Sequence, residues 1–131
     1  MPTEPLILRD AGLPGLIVVV RLGTRTLVDE HLAHRCEASF GRWGIHGFSV
    51  LEVPDRNNWT LLALLRPEVT TRPTLFSAEG RDLIEAGFPL LPTMAHPHWT
   101  VVLSEPTPVQ FQRVREVFRG PTDNPAFRIE T

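Results

Sequence analysis

Hydrophobic and polar positions recur with two different periods along the chain, and the switches between them mark out its elements. Gly15-Leu16-Ile17-Val18-Val19-Val20-Arg21 is a continuous β-branched run bounded by turn residues, the pattern of a strand buried on both faces. Over residues 26–40 the spacing becomes helical. Val28, Leu32, Cys36 and Phe40 form one stripe with Ala33 beside it, Asp29 and Glu30 occupy the early turns where the helix dipole favours acids, and Gly41 and Gly44 end the helix. Residues 45–53 return to period two, with Phe48, Val50 and Glu52 on one face and Ser49, Leu51 and Val53 on the other. Past the turn chemistry of Pro54-Asp55-Arg56-Asn57-Asn58, residues 59–65 read as a strand hairpinned to the previous one, although their leucine and alanine content also permits a short helix.

The second half repeats the alternation. Thr74-Leu75-Phe76 has the make-up of a short strand. Ser77 then stands as an N-cap for a helix over 78–86, with Glu79 in its first turn, Gly87 just past its end, and Gly80 inside it at a cost of up to ~1 kcal/mol relative to alanine. Pro97-His98-Trp99-Thr100-Val101-Val102-Leu103 is a strand that puts His98, Thr100 and Val102 on one face. A last helix is signalled by Thr107 as cap, Pro108 at the first helical position and Gln110 completing a capping box. Its buried stripe is Phe111, Val114, Val117 and Phe118, and Gly120 stops it. The order strand, helix, strand, strand, helix, strand, helix predicts one α+β domain. Its first six elements match the ferredoxin-like βαββαβ arrangement, and an extra C-terminal helix covers an open face of the sheet. Residues 1–14 are an irregular N-terminal arm, 15–120 the α+β domain, and 121–131 a tail in which Phe127 can dock.

Composition narrows the function classes. The 131 residues, 42% apolar and 21% charged, suit one globular domain, and a net charge of −2 gives no broad attraction to nucleic acid or anionic membrane. All 13 basic residues are arginine, which reads as the mark of a GC-rich bacterial genome and removes Schiff-base and phosphate-loop lysine chemistry. Cys36 is the only cysteine, so there is neither an internal disulfide nor a multi-thiolate zinc site. Without a basic start followed by an apolar core, the N-terminus does not read as a signal peptide, and the run from Leu16 to Val20 is far too short to span a bilayer. A cytoplasmic location is expected, with no cofactor and no metal.

Candidate chemistry centres on His98 and Thr100, a histidine and a hydroxyl side by side on a strand, with His46 or His96 available to join them if they meet in space. The cluster Asp29-Glu30-His31-Leu32-Ala33-His34 reads as a solvated helix face, with His34 flanked by Glu30 and Glu37. Among the arginines, Arg72 or Arg81 turning toward the Ser77 helix start would make an anion site, with Arg21 a further ligand-binding candidate. Arg56, Arg113, Arg115 and Arg119 are candidates for an RNA-facing patch, against ordinary salt bridging to the 15 acids. No dinucleotide, Walker, zincin or nucleophile-elbow motif is present.

The His98-Trp99-Thr100 element resembles one half of the two-histidine phosphoesterase signature, in which the histidine is acid or base and the threonine holds a phosphate oxygen. The second half is missing, since His46 is followed by Gly47 and Phe48. The stretch from Thr74 to Leu103, together with Asp123-Asn124-Pro125, resembles small hypothetical proteins of high-GC actinobacteria, some of which sit in toxin–antitoxin-like gene pairs. That resemblance implies a partner protein. Three functions are therefore expected in order: a protein-interaction domain acting with a partner or as a homodimer; a small phosphoesterase or ribonuclease-like toxin using His98 and Thr100 on RNA or a nucleotide; and a binder of a small anionic ligand.

Overall fold

Strand pairing organises the chain. In the computed structural model, which describes residues 2–128, the elements run β1 (Val18–Leu22), α1 (Asp29–Trp43), β2 (Gly47–Glu52), α2 (Thr60–Leu65), β3 (Thr74–Glu79), α3 (Gly80–Glu85), β4 (Leu90–Leu91), β5 (His98–Val102), α4 (Pro108–Val117) and β6 (Arg119–Asp123). The six strands form one antiparallel sheet in the order β4-β5-β2-β1-β3-β6. The protein is thus a mixed α+β domain.

Side-chain alternation divides the core between the two faces of the sheet. Val19, Phe48, Val50, Ala78, Trp99 and Val101 point to the face covered by α1, α3 and α4, where they meet Leu32, Cys36, Leu83, Phe111 and Val114. Each fully buried side chain of this kind stabilises the fold by about 1.5–3 kcal/mol. On the other face Val20, Leu51 and Leu75 meet Leu62 and Ala63 of α2, Val69 from a 3₁₀ turn (Pro67–Thr71), and Ala126. α4 begins as its sequence requires: the Thr107 side-chain oxygen accepts the Gln110 N–H at 3.3 Å. α1 runs one turn later than its stripe suggests, and its cap is Gly44, in the left-handed region at φ 79°, whose N–H donates to the Phe40 carbonyl.

Several expectations are corrected. Residues 60–65 form helix α2, not a strand. The Asn58 side-chain oxygen accepts the Thr60 N–H at 3.0 Å, and the Trp59 carbonyl accepts from Ala63, so the run winds up where a hairpin was expected. This buries Leu62 and Ala63 and leaves Leu61, Leu64 and Leu65 outside. Ser77 does not cap a helix. It lies within β3, opposite Val20 on one side and Arg119 on the other, because a continuous ladder satisfies more backbone groups than an early helix start would. α3 therefore begins only at Gly80, which packs so closely under the Pro14 carbonyl that a Cβ there would lie 2.0 Å from its oxygen. The extended tail is also structured: Arg119–Asp123 is edge strand β6. Asn124 is buried, with its amide donating to the Val69 and Arg72 carbonyls and its side-chain oxygen accepting the Ala126 N–H. Phe127 is partly buried, and tail residues 129–131 lie outside the described residues.

The ferredoxin-like arrangement does not follow from this sheet. A split βαβ unit inserts a strand between its first two, whereas here β1 and β2 pair directly and antiparallel, with β3 on the far side of β1. The helix after β5 covers part of one sheet face, where it completes the apolar layer over Phe48 and Trp99. The N-terminal arm is pinned rather than loose. Leu8 bridges to Thr93, the Arg9 N–H donates to the Pro92 carbonyl, and Glu4 pairs with Arg42 at 2.8 Å.

Candidate functional site

The seam between β1 and β2, in the middle of the sheet, is short. β1 holds register with β3 at five positions but with β2 at only two, Val19 with Glu52 and Val20 with Leu51. Beyond Val20 the strands part, and the gap is spanned by a side chain: Nη1 of Arg21 donates to the Ser49 carbonyl at 2.6 Å. A cleft of about 480 Å³ opens here, within the size range of small-molecule sites. α1 supplies His31, Arg35 and Arg42 to its wall, the connection after α2 supplies Arg66 and Glu68, and the strands supply Arg21, Ser49 and His98. A smaller cavity of about 110 Å³ adjoins it and shares Ser49, Arg35 and Arg42.

The charge in this cleft is unbalanced. Two of the arginines have carboxylate partners: Arg42 binds Glu4 at 2.8 Å and Arg66 binds Glu68 at 2.5 Å. Among the described residues, Arg21 and Arg35 have none. Burial, with a further push from Arg35, lowers the Arg21 guanidinium to about 10, so it stays charged at neutral pH at an energetic cost. Its Nε is buried without a partner, and the guanidinium lies 5.4 Å above the Phe48 ring. Its Nη2 donates to His31 Nε2 at 3.0 Å, and because arginine only donates, His31 is neutral there with its proton on Nδ1. Burial, then the fields of Arg21, Arg35 and His34, lower the His31 pKa in the same sense.

His98 forms the floor of the cleft and is 5% exposed. Its Nδ1 lies 3.1 Å from the Thr93 carbonyl and 2.9 Å from the Thr93 hydroxyl. A carbonyl only accepts, so Nδ1 carries the proton and Nε2 keeps its lone pair. That Nε2 is 2.9 Å from the hydroxyl of Ser49, which therefore donates to it. The β2–β5 register explains the meeting: Leu51 lies opposite His98 and Ser49 opposite Thr100, so Ser49 and His98 are diagonal neighbours on one face. Burial lowers the His98 pKa most. The Thr93 carbonyl opposes that shift, while Arg66, Arg9 and Arg42 add to it. Arg9 fixes the loop behind the imidazole, its Nη1 donating to the carbonyls of Thr93, Met94 and His98.

The other expected residues are scattered. Thr100 is buried, and its hydroxyl meets that of Thr93 at 2.7 Å, so it supports the His98 floor from within. His46 is not part of the group: it stands opposite Leu103 at the far end of the β2–β5 ladder, stacked on Phe40 with centroids 4.4 Å apart. His96 turns to Glu52, 3.7 Å away and on the other sheet face, where Glu52 also accepts from Trp99 Nε1. Of the four ligand-binding candidates, only Arg21 lines the main cleft. Arg72 borders a separate hollow with Thr24 and Thr71, Arg81 lies near Arg56 and Asp82, and Ser77 is held in the ladder. Of the four arginines considered for an RNA-facing patch, three are engaged within the chain, Arg56 with Glu79, Arg113 with the Ala86 carbonyl and Arg115 with Asp29, while Arg119 borders the hollow that holds Arg56 and Arg81. Among the described residues no group of three His, Cys, Asp or Glu side chains is placed to hold a metal, and no helix is long and apolar enough to cross a membrane.

Comparison with protein-family models, curated proteins and solved structures finds no match to this chain. The site thus stands on its own geometry. Its main additions to the residues visible in sequence are Ser49, Arg35, Arg42 and Arg66. The face-sharing of Ser49 with Leu51 was legible, and the β2–β5 pairing would have carried it to His98.

Proposed function

We propose that the protein binds a small molecule bearing a phosphate or carboxylate group in the cleft between β1, β2 and α1. The observation that carries this reading is the pair Arg21 and Arg35, two guanidiniums beside one cavity with no carboxylate of the described chain to neutralise them. Like charges held together in a partly dry site raise the energy of the empty protein, and an anion bound between them lowers it. Arginine's planar fork suits phosphate and carboxylate oxygens. The test is calorimetric titration with inorganic pyrophosphate as the probe. Wild type is expected to bind, and Arg35→Gln, an exposed change that leaves the core untouched, to bind at least about 10-fold more weakly. Equal affinity in the two proteins, or no binding to wild type, rejects the reading.

A second reading, an interaction domain working with a partner protein or a second copy, is favoured by one observation. Leu61, Leu64 and Leu65 are exposed together on α2 at 46%, 57% and 41%. If a second copy covers them, sedimentation will show a dimer that Leu64→Glu converts to monomer. A wild-type monomer at all concentrations removes the homodimer form of this reading. The resemblance to toxin–antitoxin-like pairs fits the partner form.

A further inference from the structure

We infer that Ser49 is a nucleophile activated by His98, and that the cleft hydrolyses a carboxylic ester whose acyl or alcohol part carries a second, anionic group. The geometry is that of a nucleophile, a base and an orienting group in series. The Ser49 Oγ–H donates to His98 Nε2 at 2.9 Å, and His98 Nδ1–H is held by the Thr93 carbonyl at 3.1 Å. The tautomer follows from the carbonyl, so the imidazole is already set to accept the serine proton. Ser49 is the exposed member, on the border of both cavities, whereas His98 is shielded beneath it. Three of the five Arg21 N–H groups are free of the Ser49 and His31 contacts. One of these, on Nε, is buried, which leaves two to face charge developing in the cleft.

The steps balance. Ser49 Oγ adds to the ester carbonyl carbon while its proton passes to His98 Nε2, and the oxyanion forms within the field of Arg21 and Arg35. The bond from carbonyl carbon to alcohol oxygen then breaks, the His98 proton goes to the departing oxygen, and an acyl-serine remains. Water adds to that acyl group with its proton taken by His98. Collapse releases the carboxylic acid, and His98 returns the proton to Ser49. Thr93 is a positioning residue: it touches no reacting atom and holds the ring. The arginines act here as the anion clamp, so this activity rests on the anion-binding reading above.

The test uses the intact chain and a fluorophosphonate, an electrophile that phosphonylates activated serines with loss of fluoride. Wild type is expected to gain one adduct, located at Ser49 by peptide mass analysis. Ser49→Ala should abolish it and His98→Gln should slow it by about 100-fold or more. Bound pyrophosphate should slow labelling of the wild type. Because His98 is buried, a second variant keeps the test sound if His98→Gln fails to fold. The Ser49→Cys thiol should be alkylated by iodoacetamide at pH 6 faster than free cysteine, against little background from Cys36, which burial pushes up to about 11. Absence of a Ser49 adduct while pyrophosphate still binds overturns the activity and leaves the anion site standing. An adduct at Ser49 without any pyrophosphate binding overturns the anion clamp instead. Alkylation of the Ser49→Cys thiol no faster than free cysteine overturns the role of His98.

Discussion

The two faces of the sheet are built from opposite materials. Under α1, α3 and α4, Trp99, Phe48, Phe88 and Leu83 close into a dry layer with almost no polar atom to satisfy. On the other face the apolar cover formed by α2 and the following 3₁₀ turn stops at Val20 and Leu51. Beyond it lie His98 and Ser49, and across the gap Arg21, one residue past Val20, leans over the Phe48 ring toward His31 of α1. The difference lies partly in register. β1 and β3 run together for five positions and their side chains pack, while β1 and β2 part after two, and the space between them is lined by guanidiniums. The chain has thus placed its costly groups in the gap where β1 and β2 part, against α1, where unpaired charge serves binding.

Substitutions should separate the faces cleanly. Phe88→Ala in the closed layer is expected to destabilise the fold by about 3–5 kcal/mol, measured by urea unfolding. Leu62→Ala on the opposite face should cost about 2–3 kcal/mol, because α2 can settle partway into the space, and should leave the arginines in place. If the two losses are reversed, the closed layer is not the dominant core. Asn124→Ala should cost about 1–3 kcal/mol by leaving the Val69 and Arg72 carbonyls without their donor, a loss that tests whether the C-terminal segment is part of the fold. At the smallest end, Arg35→Gln should change stability by less than about 0.5 kcal/mol while weakening pyrophosphate binding.

Acid provides a further separation. Burial lowers the pKa values of His98 and His31 in the folded chain, so the unfolded chain binds their protons first as pH falls. Stability is therefore complete above the unfolded histidine value of about 6.5 and declines below it, until the folded pKa values are reached. Urea midpoints measured from pH 7.5 to 5 should show this decline, and His98→Gln should flatten part of it. A bound anion should reduce it too, by offsetting the arginine field on His98. A pH-independent midpoint over that range would mean that His98 is less buried than its surroundings indicate.

Signals carried by near neighbours hold where no long-range pairing competes with them. The Thr107, Pro108 and Gln110 start of α4 and the alternation of Phe48 and Val50 depend on neighbours within a few residues, and both stand in the structure. Ser77 carried an equally good local signal for a helix cap, but the pairing of β3 with β1 overrode it. Residues 59–65 have no decisive period, and only the Asn58 turn and the burial of Leu62 select the helix. For the site, His98 was visible because a histidine in an apolar strand stands out. Ser49 was not, since its partner lies 49 positions away and the contact depends on a register that no single strand states.

The central claim, that the seam between β1 and β2 is an anion site, is tested most directly by mapping amide chemical shifts during titration with pyrophosphate. Saturable shifts confined to Arg21, His31, Arg35, Ser49 and His98 are predicted. Shifts centred instead on the exposed Arg56, Arg81 and Arg119 surface, or no saturable shifts at all, would contradict it.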